Sequence, residues 1–138
     1  MYSNNLLSFT FAAWVEGRYI SLAEVVRALG DTVAKCTWRI EVEELAPHPA
    51  SRTLEELCAA TTLATHELVS SFSDPVQIID GRALAFADLS CEHELIAIVA
   101  LRSSHWDIHT RSSKLVEAIR LAFPAIKPFP STEAPHFQ

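Results

Sequence analysis

The chain has 138 residues, 49% of them hydrophobic and 20% charged. That is the size and make-up of one globular domain, and it excludes an intrinsically disordered chain. The formal net charge of −6 has the wrong sign for a nucleic-acid binder that works by neutralising phosphates.

Ser8 to Val15 is rich in aromatic residues and alternates at first, so it predicts a strand that ends at a Glu16-Gly17 turn. Ser21-Leu22-Ala23-Glu24 is a capping box, in which the serine oxygen and the glutamate each take one orphan N–H of a helix start. Leu22, Val25, Val26 and Leu29 repeat at helical spacing and Gly30 sits where a C-cap belongs, which predicts a helix over 22–30. Cys36 to Glu44 alternates. Trp38, Ile40 and Val42 share one face of a half-buried strand; Thr37, Arg39, Glu41 and Glu43 share the other.

Pro47-His48-Pro49 breaks that strand. Thr53-Leu54-Glu55-Glu56 is a second capping box, and Leu54, Leu57, Cys58 and Thr61 fall on one helix face. The Thr61-Thr62 pair is a poor helix interior, because β-branched side chains lose χ1 freedom there. The reading is a short helix at 53–60 and a second at 65–72, with one longer helix as the alternative.

Asp74-Pro75 marks a turn. Asp80-Gly81, between Val76–Ile79 and Arg82–Ala87, predicts a two-residue hairpin. Leu95 to Leu101 is an unbroken apolar run and predicts a central strand buried on both faces. Arg102-Ser103-Ser104 turns the chain into a return strand, His105 to His109. Ser112 or Ser113 caps a last helix with the stripe Leu115, Val116, Ile119, Ala122 and Phe123, ended by Pro124.

The expected fold is α+β: a mainly antiparallel sheet of about five or six strands, with three or four helices on one face. Residues 1–124 form the domain, and 125–138 form a Pro-rich, partly ordered tail. Gly17, Gly30 and Gly81 are all assigned to turns or caps, which leaves none for a phosphate-cradling loop. The longest apolar run is far short of the roughly 20 residues that span a bilayer. The first residues lack a secretory pattern. Cys36, Cys58 and Cys91 form no CxxC pair, which fits thiols in a reducing compartment. Together these features point to the cytoplasm, with no membrane partner and no cofactor.

Four sets of residues could carry function. His105, Asp107 and His109 project to one strand face about 6–7 Å apart, a set able to hold a divalent metal. The simpler reading is that they face water while Trp106 and Ile108 face the core. Cys91-Glu92-His93 offers a nucleophile beside a base, but neighbours on a strand point to opposite faces. Trp14, Trp38 and Trp106 sit in apolar strand patterns, which suits core or sheet-edge packing. Glu41, Glu43 and Glu44, with Glu55 and Glu56, form the fourth set. As acid–base pairs they lack the unequal environments that catalysis needs. As a binding surface for a basic protein they fit the charge distribution. Residues 36–94 hold three basic and eleven acidic residues, whereas 1–35 is neutral and 95–138 is net +2.

Three stretches carry a resemblance: Trp14-Val15-Glu16-Gly17-Arg18, Gln77 to Gly81, and Ile98 to His109 followed by Leu115 to Pro124. In these the chain resembles small, acidic, uncharacterised α+β proteins of bacteria, some of which serve as immunity proteins for toxins. The resemblance implies a non-enzymatic binding protein with a toxin domain as partner, and it assigns no functional residue. A metal-binding protein or enzyme built on His105, Asp107 and His109 is the second reading. A small homo-oligomeric structural domain, such as a homodimer, whose exposed strand edge pairs with a copy of itself is the third.

Overall fold

The computed structural model describes residues 2–73, 76–88, 93–102 and 104–129. The long strands are β1 (Tyr2–Ala12), β4 (Thr37–Leu45), β6 (Ile78–Phe86), β7 (Ile96–Leu101) and β8 (His105–Ser112). Two-residue strands are β2 (Trp14–Val15), β3 (Arg18–Tyr19), β5 (Leu63–Ala64) and β9 (Lys127–Pro128). The helices are α1 (Leu22–Leu29), α2 (Ser51–Ala60), α3 (Thr65–Ser71) and α4 (Ser113–Ala122), with a 3₁₀ turn at Gly30–Val33.

Seven strands form one antiparallel sheet in the order β5-β4-β6-β7-β8-β1-β9, and β2 and β3 form a separate hairpin. The fold is therefore α+β, as expected. The sheet exceeds five or six strands because the short β5 and β9 add one strand at each edge. β9 lies within the segment read as a tail, where Lys127 pairs with Thr10 and Pro128 with Phe9. Residues 130–138 lie outside the described residues, as does the Asp74-Pro75 turn.

The core lies between the helices and one sheet face. Trp38, Ile40, Ile96, Ile98, Trp106 and Ile108 meet Leu22, Val25, Val26, Leu68, Leu115 and Ile119 there. Ser21 caps α1 with the predicted box: its Oγ accepts from Glu24 N–H, and Glu24 accepts from Ser21 N–H. Ser112 caps α4 by accepting from Leu115 N–H. The α4 stripe is narrower than expected, since Ala122 is exposed while Phe123 stacks on Phe11.

The second capping box is not used. α2 starts at Ser51, with Ala50 as its N-cap and no side-chain cap. The His48 turn begins the helix early: His48 Nδ1 accepts from Ala50 N–H, and its carbonyl accepts from Ser51 N–H. The chain does break at Thr61, which is extended, and α3 follows as a separate helix.

Asp80-Gly81 is not a hairpin turn. Both residues lie inside β6, which runs unbroken beside β4. The two-residue hairpin geometry sits instead at Glu16-Gly17, whose φ values are +52° and +77°. Gly81 serves close approach: a Cβ there would stand 2.8 Å from the Glu41 carbonyl oxygen and 3.3 Å from Val42 Cα. The pairing register shifts beside it, between Val42 and Glu44. Gly81→Ala is expected to destabilise the fold by about 1–3 kcal/mol, as overpacking against backbone does. A urea midpoint equal to the parent's would contradict this.

The seven-residue run from Leu95 behaves as a central strand. Ile96, Ile98 and Ala100 enter the main core, while Ala97 joins Leu84 and Phe86 in a small cluster on the opposite face. Leu101, at the end of the run, is exposed. No helix of the described residues is long and apolar enough to cross a membrane.

Candidate functional site

The acidic residues gather around β4 and α2. Pairing with β6 sends Trp38 and Ile40 into the core, so Arg39, Glu41 and Glu43 leave the opposite sheet face. Glu41 stands across from Arg82, whose Nε donates to its carboxylate. Both side chains are about two-fifths exposed (39% and 41%), so the pair contributes little energy. The Arg39 guanidinium lies over the Phe86 ring, 5.2 Å from its centroid. Glu43 is exposed and joins Glu41, Asp80 and Arg82 around a shallow depression of about 120 Å³. Glu44 is exposed and pairs in register with Asp80.

α2 begins after β4 ends and leads to β5, which pairs with the start of β4, so the helix runs back along the strand. Leu54 and Cys58 anchor it in the core. Between strand and helix lies a groove of about 630 Å³. One wall is β4 from Arg39 to Val42; the other is Glu55, Cys58, Ala59 and Ala60 of α2, with Thr61 and Thr62 beyond the helix end. Cys58 and Ala59 stand three and four residues from Glu55, so they share a stripe of α2 with it, and Ala60 extends the lining at the end of the helix. Both alternating faces of β4 line the groove, which therefore follows the strand's edge rather than covering one face.

The structure thus brings Glu41 and Glu55 into one groove. Glu43 and Glu44 lie on the adjoining strand surface, and Glu56 lies on exposed α2 surface, 3.3 Å from Arg52. Cys58 is no nucleophile, because burial pushes its thiol up to about 11 and keeps it protonated at neutral pH. Burial raises the Cys36 thiol as well. Cys91 and Glu92 lie outside the described residues.

The His105, Asp107, His109 face differs from the simpler expectation. His105 is exposed, but Asp107 and His109 are buried, at 5% and 2% exposure. The reason lies in β1, whose register sets Thr10 opposite Asp107 and Ser8 opposite His109. Thr10 Oγ1 donates to Asp107 at 2.7 Å, and Ser8 Oγ lies 2.9 Å from His109 Nδ1. Phe129 stacks on the His109 ring at 5.5 Å. Such cross-strand pairs satisfy buried polar groups that water would otherwise serve.

Burial lifts the Asp107 carboxyl, while the Thr10 hydrogen bond and the His105 charge draw it back down. Burial also lowers His109 to about 4. The Ser8–His109 contact pairs a hydroxyl with a base, but a base held that low is weak near neutrality, and it is closed to substrate. His105 instead meets Ser104 Oγ at 3.0 Å. Among the described residues, no three His, Cys, Asp or Glu side chains come together as a metal site.

Trp38 and Trp106 are core residues, and each indole N–H has a partner: Thr65 Oγ1 at 2.9 Å and the Ile20 carbonyl at 2.8 Å. Trp14 lies outside the core. It is 43% exposed on the small hairpin, over the Tyr19 ring. Sequence reasoning missed the groove. Its one trace in the sequence is the run of small residues Ala59-Ala60-Thr61-Thr62, which leaves room beside β4. In comparisons with known proteins, no family model, no curated protein and no solved structure matches this chain.

Proposed function

We propose that this protein is a non-enzymatic binding domain of the immunity type, which neutralises a toxin by covering its basic surface. One observation carries the reading: Glu41, Glu43, Glu44, Glu55 and Glu56 stand on a strand and a helix that pack against each other. β4 and α2 together hold these five carboxylates against Arg39 and Arg52 alone. A surface with a net negative charge steers a basic partner during encounter and rejects acidic competitors. Inhibition is by occlusion, so no bond is made or broken. The free thiols of Cys36 and Cys58 support a reducing compartment, and the cytoplasm is where we place the protein.

The test is capture from the native source at low salt, with wild type and Glu43→Lys/Glu44→Lys/Glu55→Lys as baits. All three positions are exposed, so the variant keeps its core. The expected result is a basic protein retained by wild type and lost by the variant. Equal retention by both baits would overturn the surface assignment.

A further inference from the structure

Among the described residues, β4 has a neighbour on its side away from β6 at two positions only: Thr37 pairs with Ala64 and Trp38 with Leu63. From Arg39 to Leu45 no described strand continues that ladder. The outward N–H and C=O groups of this stretch thus form a free edge, and the groove beside α2 opens onto it. β5 already shows that the edge accepts an antiparallel strand, before the chain departs into α3.

We infer that the groove is a strand-addition site, in which an extended basic segment of a partner protein pairs with β4 from Arg39 to Leu45. Backbone pairing would supply affinity, and side chains would alternate between the α2 wall and the sheet face. The exposed Ala59 leaves room at the wall. Glu41 and Glu55 line the groove, and Glu43 and Glu44 continue along β4, so lysine or arginine at alternate positions fits the edge. A second copy of this chain fits poorly. An antiparallel β4–β4 pairing centred on residues 42–43, which would use the whole free stretch, sets Glu41 against Glu43 or Glu44 of the other copy, and like charges across a ladder repel. The inference rests on the acidic-surface reading, and it adds the backbone geometry.

The experiment titrates the full chain with an end-blocked peptide of about seven residues alternating lysine and valine, long enough for the free edge. A second peptide has the same sequence with alternate amides N-methylated, which removes one edge of hydrogen bonds and keeps the charge. Affinity is read by fluorescence polarisation, and edge pairing by amide hydrogen exchange. The expected result is binding of the plain peptide, slowed exchange confined to β4, and affinity at least about tenfold weaker after N-methylation. Ala59→Tyr, at an exposed helix position, is expected to fill the groove and abolish binding while the circular dichroism spectrum stays unchanged.

Equal binding of the two peptides, weakened by Glu41→Gln/Glu55→Gln, would overturn strand addition and leave the acidic-surface reading standing. Binding unaffected by removing those charges would count against that reading itself. A lack of binding by the plain peptide would overturn strand addition. A dimeric mass by light scattering, with the β4 amides protected before any peptide is added, would overturn it in favour of a second copy.

Discussion

Trp106→Ala is expected to lower the free energy of unfolding by about 3–5 kcal/mol, the range for removing a large buried aromatic residue. Trp106 is 1% exposed, tilts against the Tyr19 ring at 6.2 Å and joins β8 to the start of α1 through the Ile20 carbonyl. Truncation leaves a cavity and also strips that buried carbonyl of its donor. Trp106→Phe separates the two effects: it fills most of the space and still loses the hydrogen bond, so about 1–3 kcal/mol is expected. Trp14→Ala is the control, since a side chain 43% exposed stands outside the core; it should cost less than about 1 kcal/mol. Equal losses for Trp14→Ala and Trp106→Ala in urea unfolding would contradict this view of the core.

Acidification is expected to destabilise the fold through His109. Burial holds the folded imidazole at about 4, against an ordinary value of 6.5. The unfolded chain therefore takes up the proton first as pH falls. The stability that comes from burying a neutral ring is complete above pH 6.5. It declines between the two values and is gone below about 4. Asp107 works in the opposite sense, because its raised folded value makes the native state bind a proton more readily as pH falls.

His109→Gln isolates the first effect and keeps a polar partner for Ser8. From pH 7.5 to 4.5, wild type should lose about 2–3 kcal/mol more than His109→Gln. Urea unfolding at each pH measures this, provided that the denaturant slope stays constant. Parallel stability curves for the two proteins would show that the ring is not held neutral by burial.

The contrast between these residues shows what a single chain of letters can convey. The Ser21 capping box is closed by bonds within three residues, and the alternation in Thr37–Val42 follows from the strand's own two-residue period, so both are legible locally and both stand in the structure. The unbroken run Ile96–Ala100 likewise names its own place at the sheet centre. Asp80-Gly81 misleads because glycine serves two purposes. It permits positive φ in a turn, and it permits close backbone approach within a sheet, and local sequence does not separate them.

Asp107 and His109 look solvent-facing because alternation reports two faces, not what covers each. Their partners Thr10 and Ser8 lie 97 and 101 positions away along the chain. The carboxylates were legible as a set, but their arrangement was not. The groove exists because β5 stops after two residues and α2 turns back beside the remaining edge, which is a fact of topology rather than of any motif.

The central claim is that the carboxylates of β4 and α2 hold a basic partner. The most direct measurement is the dissociation constant of the captured partner from about 50 to about 300 mM NaCl, a span over which exposed charges become screened. For wild type we predict affinity falling at least about tenfold across that range. For Glu43→Lys/Glu44→Lys/Glu55→Lys we predict weaker binding at the lowest salt and a much flatter dependence. A wild-type affinity indifferent to salt, or a variant with the wild-type slope, would contradict the claim.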